Sequence, residues 1–487
     1  MHRLLPGLVA LALYPHLSWA EDAPSPLLAE IQKLQQEAGL RTASIGFCAV
    51  PVDSEDPEAD MIGYQMDRSL VPASTLKVVT TATALEVLGP DYRFETTLHY
   101  RGTIDDEGTM SGDVILRGGG DPTLGSSQII NTFTKWQASL SEAGIKKIEG
   151  SVIGDASIFG SQMVPDSWQW NDIGNYYGAG ACGLTFHQNL FYCSFSTPYS
   201  GAPAKLIGTD PRLPGIEFFN EMRVGPAGSG DQGYIYAHPY SSTYYLRGTV
   251  PAGGNSFTIK GSLPDPAFFC ARAFTKHLNN HGVPVSGEPT TDRLLRQAGD
   301  TLDEELTQFH SQSSDTLKSL MVLTNHKSNN LRAECMHRMI GLQAKGDGST
   351  VAAAKATEAY WKDKGISMEG FYMADGCGLA RNNIITPKQM TLMLYHMAKS
   401  ENYDAFYSSL PVTGRSGTLR SIGGGTAVEG RVHGKSGTLD RIRNYSGYLN
   451  AYSGKRYAFA IFINNYSGDL WQAKNASVRI WTKMLSL

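Results

Sequence analysis

Apolar residues at helical spacing open the chain, and strand-like runs fill its last stretch. In SPLLAEIQKLQQEAGL (25–40), Leu27, Leu28, Ile31 and Leu34 fall on one face of a 3.6-residue period. Arg41 to Val50 and Met61 to Leu70 read as strands, the second leading into PASTLKVVTTATALEVLG (72–89). That run predicts a helix: Pro72 sits where a missing N–H costs little, Ala and Leu recur, and Gly89-Pro90 ends it. From Tyr92 the texture becomes β-like, with a Gly-rich turn at 118–120, an amphipathic helix in SQIINTFTKWQASLSEAGI and a strand in IEGSVIGDASIF. Residues 226–260 carry only three charged side chains, Asp231, Arg247 and Lys260, among many Tyr, Gly and Ser; this is the composition of a small all-β module. AFFCARAFTKHLNNHG predicts a helix ended by Gly282. After Phe309 the pattern is helical again through TLKSLMVLTNHKSNNLRAECMHRMIG and VAAAKATEAYWKDKG, and a further helix starts at Thr386-Pro387-Lys388. VEGRVHGKSGTLDRI, NYSGYLNAY and KRYAFAIFIN then read as strands, and NASVRIWTKMLSL closes as a helix.

A helix–strand beginning and a strand–strand–helix end place the two termini in one sheet of an α+β domain, with the middle of the chain inserted into it. At 487 residues the chain exceeds one ordinary core. The expected division is a discontinuous domain of 21–90 and 291–487, an inserted domain of 91–195 and 261–290, and a nested small β domain of 196–260. Residues 1–20 match a cleavable secretory signal: Arg3, an apolar stretch from Leu4 to Leu17, and Ser18-Trp19-Ala20 before Glu21. An exported protein is expected, and no later apolar span has membrane length. The six cysteines are spread without any Cys-x-x-Cys pair, which suits small buried residues better than a disulfide framework. A formal net charge of −4 gives no electrostatic reason to expect nucleic acid.

Three short motifs carry candidate chemistry. Ser74 and Lys77 are three residues apart on the predicted helix, so a hydroxyl and an amine share one face beside unsatisfied backbone N–H groups, as an activated nucleophile requires. Ser328-Asn329-Asn330 near a helix start supplies a hydroxyl able to relay a proton and an amide able to hold a lysine amine or a substrate carbonyl. Lys435-Ser436-Gly437-Thr438 sits on a predicted strand, where small residues let a substrate backbone lie alongside and the lysine and hydroxyls suit a terminal carboxylate. Alone, each of the first two is ordinary helix-capping chemistry. A phosphate-binding loop is excluded at the third, because Glu429 stands where a glycine is needed and no helix follows. His326, Cys335 and His337 lack a further ligand at a familiar spacing, so no metal is expected.

Ser-x-x-Lys, Ser-x-Asn and Lys-Ser/Thr-Gly in this order are the signature of penicillin-binding proteins and class A β-lactamases. The chain resembles, in particular, the class C low-molecular-mass penicillin-binding proteins, the D-alanyl-D-alanine carboxypeptidase/endopeptidase family. The resemblance rests on GDPTL (120–124), GDASIF (154–159), WQWND (168–172), YGA (177–179), GSLPDPA (261–267), SNN (328–330), DGCGLARNNIITP (375–387), LPVTGRSGTL (410–419) and GKSGTL (434–439). Ser328 follows Ser74 by more than half the chain, far beyond a compact β-lactamase, and in this family the excess forms two extra domains.

The resemblance implies a transpeptidase-like fold, an antiparallel sheet flanked by helices, with the inserted, mostly β segment added. It implies a periplasmic enzyme, soluble or loosely membrane-associated, acting on peptidoglycan stem peptides, acylated by β-lactams and needing no cofactor. Ser74 is the expected nucleophile and Lys77 its base. Ser328 is expected to relay the proton, with Asn330 positioning Lys77. Lys435, Ser436, Gly437 and Thr438 would bind the carboxylate end, and the backbone N–H groups of Ser74 and Thr438 would form the oxyanion hole. Asp155 and Arg381 would line a pocket for the free end of a diaminopimelate side chain. Ser436 replaces the family's commoner Thr, and Cys377 its usual Ser. A serine β-lactamase and a non-catalytic peptidoglycan-binding protein are the alternatives; neither fits as well. No dedicated water-activating base is apparent for the first, and the second would not need both Ser74 and Lys77.

Overall fold

Strand Ser44–Pro51 pairs antiparallel with Arg456–Asn464, so Ser44 lies opposite Asn464 and Pro51 opposite Tyr457, joining the two ends of the chain. The computed structural model describes residues 25–126, 129–302 and 305–487, and the expected leader at 1–20 lies outside the described residues. The joined sheet runs Val432–Leu439, Ile442–Asn450, Arg456–Asn464, Ser44–Pro51, Ile62–Tyr64, with every neighbouring pair antiparallel. Its inner strands are buried almost throughout because helices cover both faces, leaving no solvent side to impose alternation. Pro26–Gln36 and Leu470–Met484 bury Leu27, Ile31, Ile480 and Trp481 against Phe47, Phe459 and Ile461 on one face. Leu76–Leu88, Asn330–Lys345 and Pro387–Met397 build the other core with Val50, Ala458, Ala460 and Phe462. Helix Leu76–Leu88 is buried from Leu76 through Leu85, which accounts for a sequence without a polar face.

The insertion forms its own sheet, in the order Thr290–Thr291, Val152–Asp155, Thr109–Arg117, Glu95–Ile104, Thr307–Ser313. Helices Ile129–Glu142 and Pro266–Asn280 pack on it through Phe133, Trp136 and Phe274, with Phe133 stacked on Phe186 at 5.2 Å. A further unit places Phe257–Ser262, Leu190–Ser196 and Lys205–Asp210 in one sheet. Arg223–Gly225, Thr243–Pro251 and Gln232–Tyr236 form the other, with Glu217–Asn220 added to Thr243–Pro251. The two sheets share one core around Phe191, Tyr244 and Ile235.

Two boundaries differ from expectation. Thr307–Ser313 pairs with Glu95–Ile104, so the insertion's sheet extends past 291. The strands Leu190–Ser196 and Phe257–Ser262 belong to the small β unit and extend it on both sides of 196–260. In each case the deciding feature is pairing to a distant strand, which leaves no local mark in the sequence. All six cysteines are free and buried, as small core residues. Among the described residues no helix is long and apolar enough to cross a membrane.

Candidate active site

Ser74 sits in a 3-10 turn, Ala73–Thr75, that runs directly into the helix Leu76–Leu88. Ala73 holds a left-handed φ of 49° although it is not glycine, a conformation that persists only when its surroundings enforce it. Three elements do so. Asn444 donates from Nδ2 to Val71 O at 2.7 Å and to Pro72 O at 2.9 Å. Strand Val432–Leu439 passes so close that a Cβ on Gly437 would stand 2.6 Å from Pro72 O. Gly378, from the DGCGLARNN loop, lies directly against the Ala73 carbonyl, where no side chain fits.

Lys77 is fully buried. Its Nζ lies 2.7 Å from Asn330 Oδ1, 2.6 Å from Cys377 O and 3.1 Å from Ser74 Oγ. The first two partners are carbonyl oxygens, which only accept, so they fix two N–H bonds. The remaining direction faces Ser74, where a neutral amine presents its lone pair to the hydroxyl. Burial lowers the Lys77 pKa, while the charges of Asp375 and Glu334 oppose the shift.

Asn330 opens helix Asn330–Lys345 and donates from Nδ2 to Tyr177 O at 2.7 Å, so it is held from two sides. Ser328 adopts a left-handed conformation at the end of helix Leu317–Lys327, and Lys435 Nζ donates to its Oγ at 2.8 Å and to Ser436 O at 2.7 Å. Burial, then the charges of Lys77 and Arg443, push the Lys435 pKa well below its ordinary value. Two hydroxyl–amine pairs thus converge, Ser74 with Lys77 and Ser328 with Lys435. Ser74, Ser328, Asn330, Thr438 and Arg381 line one cleft of about 440 Å³. Lys435 and Ser436 are buried behind it, with Gly437 against the turn that carries Ser74.

Asp155 is not part of this cleft. It is 2% exposed at the end of strand Val152–Asp155, 2.8 Å from Arg117 Nε, and accepts from Ser157 N. Asp172, from the WQWND stretch, lines the cleft together with Arg381 and Asp440. Burial raises the Asp172 pKa, and the Arg381 charge and a hydrogen bond with Tyr177 oppose that rise. Asp172 stands in one of the motifs quoted above, whereas Asp155 is held away from the cleft by a strand whose position is set by distant pairing.

Two other residues were missed. Arg443 stands opposite Thr438 on the neighbouring strand, and its guanidinium donates to the Thr438 hydroxyl and to Tyr445 OH. It brings a nearly buried cation behind the Thr438 end of the cleft. Asp375 accepts from Trp168 Nε1, Gly378 N, Ala380 N and Asn383 Nδ2, at 2.8, 2.7, 2.6 and 2.8 Å. Those four bonds shape the loop whose Cys377 carbonyl receives Lys77. The Cys377 thiol is buried, with a pKa raised well above its ordinary value by burial, so it stays a neutral filler.

Glu334 lies beneath Lys77, 1% exposed, and its carboxylate accepts no N–H or O–H. Burial and the Asp375 charge push its pKa up to about 7. Glu334, Asp375 and Cys377 are the described side chains spaced to share an ion. The chemistry of this set does not suit a cation: Asp375 is saturated by N–H donors, the thiol is held neutral, and burial penalises the Glu334 charge. His326, Cys335 and His337 do not gather into any such set among the described residues.

A sheet backed by helices, with a serine, a buried lysine, a second serine–lysine pair and an asparagine around one cleft, defines an active-site-serine acyltransferase fold. The chain belongs to the D-Ala-D-Ala carboxypeptidase 3 (S13) family, which matches residues 27–484. It is 29% identical over 478 residues to a D-alanyl-D-alanine carboxypeptidase of an Actinomadura species, covering 96% of this chain and 86% of the relative. Identity to the D-alanyl-D-alanine carboxypeptidase DacB of Haemophilus influenzae is 27% over 436 residues, covering 88% and 87%. The crystal structure of penicillin binding protein 4 (dacB) from Haemophilus influenzae superposes with a TM-score of 0.79 at 24% identity, over 95% of this chain and 100% of that one. A second structure of that protein, complexed with a β-lactam, gives a TM-score of 0.74 at 22% identity, over 94% and 100%. The expected α+β penicillin-binding-protein fold is therefore the fold observed.

Proposed function

We propose that this exported enzyme is a serine-type D-Ala-D-Ala carboxypeptidase acting on peptidoglycan stem peptides in the periplasm, and that β-lactams acylate the same serine. One observation carries the reading: Lys77 is buried, its N–H bonds are committed to two carbonyl acceptors, and its remaining direction faces Ser74 Oγ at 3.1 Å. An amine so placed loses its proton more readily than in water and takes one from the hydroxyl.

Ser74 Oγ attacks the carbonyl of the penultimate D-alanine as Lys77 accepts the hydroxyl proton. The C–N bond then breaks, and the departing amine takes a proton from Ser328, which Lys435 replenishes. Water hydrolyses the ester in the second half. Asn330 positions Lys77, and the backbone N–H groups of Ser74 and Thr438 receive the oxyanion. Thr438, with Ser436, Gly437 and Lys435 behind it and Arg443 alongside, receives the terminal carboxylate. Arriving negative charge would draw protons back onto the Lys435 site. Asp172 and Arg381, of opposite charge, suit an amine and a carboxylate at the far end of a stem-peptide side chain. Endopeptidase cleavage is the same acyl transfer with a second stem peptide attached to the leaving amine.

The test is release of D-alanine from a synthetic stem peptide ending in D-Ala-D-Ala, followed beside turnover of a labelled penicillin. Release that stops in Ser74→Ala, with a long-lived penicillin adduct in the native enzyme, supports the reading. Rapid release of hydrolysed drug without peptide turnover would make the chain a β-lactamase. Neither turnover nor adduct would leave a binding protein.

A further inference from the structure

The outer face of the small β unit carries a row of aromatic rings that its core does not use. Strands Glu217–Asn220, Thr243–Pro251 and Gln232–Tyr236 lie side by side, and their register sets Phe219 opposite Tyr245 and Tyr245 opposite Tyr236. The alternate residues Tyr244, Leu246 and Ile235 fill the core, so the row faces out. Phe219 is 43% exposed, Tyr245 37% and Tyr234 39%.

The rings touch in sequence. Phe219 stacks on Tyr245 at 5.2 Å with 19° between planes. The Arg247 guanidinium lies 5.6 Å from the Tyr245 ring and 5.7 Å from the Tyr236 ring, tethered by Glu221 at 2.7 Å. Trp170, 57% exposed, meets Tyr236 at 5.0 Å, and Tyr234 follows at 6.3 Å. Tyr234 itself lines the catalytic cleft, and so does Asp172, on the same short helical segment as Trp170. The row is therefore continuous with the active site.

We propose that this strip is a stacking platform for the glycan strand that carries the stem peptide. The inference rests on the peptidoglycan reading given above. A run of adjoining exposed ring faces is costly in water unless something covers it. Sugar rings present flat C–H faces to aromatic rings and hydroxyls around their edges. Tyrosine hydroxyls, Arg247 and Glu221 supply partners for those edges. Continuity with the cleft decides the occupant: when a stem peptide fills the cleft, the polymer bearing it must pass over an adjoining surface. The flanking outward positions Glu217, Gln232 and Thr243 are polar, whereas the centre of a protein–protein interface is depleted of charge.

The test uses the full chain and peptidoglycan glycan strands freed of their peptides. The Phe219→Ser/Tyr245→Ser double variant and, on a separate element, Trp170→Gln are compared with the native protein. Penicillin acylation reports that each is folded. The expected result is retention of the native chain on peptide-free glycan and about tenfold weaker retention of the double variant. kcat/KM on polymeric peptidoglycan should fall similarly, while hydrolysis of a soluble stem peptide stays unchanged. Native protein not retained by the glycan, or variants retained equally, would overturn the platform. A native dimer that the double substitution converts to monomer would also overturn it, by assigning the strip to a second copy. Failure of the catalytic reading is separate, because it would show in the native enzyme as no stem-peptide hydrolysis and no adduct.

Discussion

Lys77 Nζ lies 2.7 Å from the side-chain oxygen of Asn330, a residue 253 positions further along the chain. The bond ties helix Leu76–Leu88 to the helix that follows Ser328 and fixes how the lysine presents itself to Ser74. A neutral acceptor holds the amine without holding its proton. Asn330→Asp keeps the shape and places an anion there, which raises the Lys77 pKa. The acid limb of the pH profile for penicillin acylation should move up by about one unit or more. An unmoved limb would detach Lys77 from the pH dependence.

Lys77→Met preserves length and suits the buried site. General-base catalysis is worth about 10²- to 10⁴-fold, and acylation should slow by an amount in that range. Stopped-flow acylation with a chromogenic β-lactam, beside a thermal melt showing an intact fold, measures it.

Glu334 gives a pH dependence of stability. Its carboxyl is raised from 4.5 to about 7 in the fold, so between those values the folded chain keeps a proton that the unfolded chain releases. The stability this group contributes is complete below pH 4.5 and is lost as pH rises through 7. Glu334→Gln cannot ionise and escapes the loss. Its stability relative to the native chain should rise across that window and then level, the total change being about 3 kcal/mol. Denaturant melts at pH 5 and pH 8 check this, and parallel curves would contradict it.

Asp172 and Asp155 should separate cleanly. Asp172→Asn is expected to raise KM about tenfold for stem peptides with a free side-chain amine and to leave penicillin acylation unchanged. Asp155→Asn weakens the pair with Arg117 inside the insertion's sheet and should lower the melting temperature without altering KM.

The catalytic sheet was legible because both ends of the chain carry strong periodic or continuous apolar patterns, and Ser74, Lys77, Ser328, Asn330 and Lys435 stood in motifs whose spacing has a chemical reason. Arg443 was not legible: it enters only through its register opposite Thr438, which depends on how two strands pair. Thr307–Ser313 was missed for the same reason, since a polar edge strand pairing with residues 95–100 carries no local signature. Asp155 looked eligible because a sequence does not reveal which acid a distant strand buries. The pKa of Lys77 also needed the fold: the opposing charges of Asp375 and Glu334 come from a loop and a helix far along the chain.

The central claim is that Ser74 forms the covalent bond. Intact-mass measurement after incubation with a penicillin, followed by peptide mapping, tests it most directly. The account expects one adduct of the drug's mass on the peptide containing Ser74, and none in Ser74→Ala. An adduct on another peptide, or one that persists in Ser74→Ala, would contradict it.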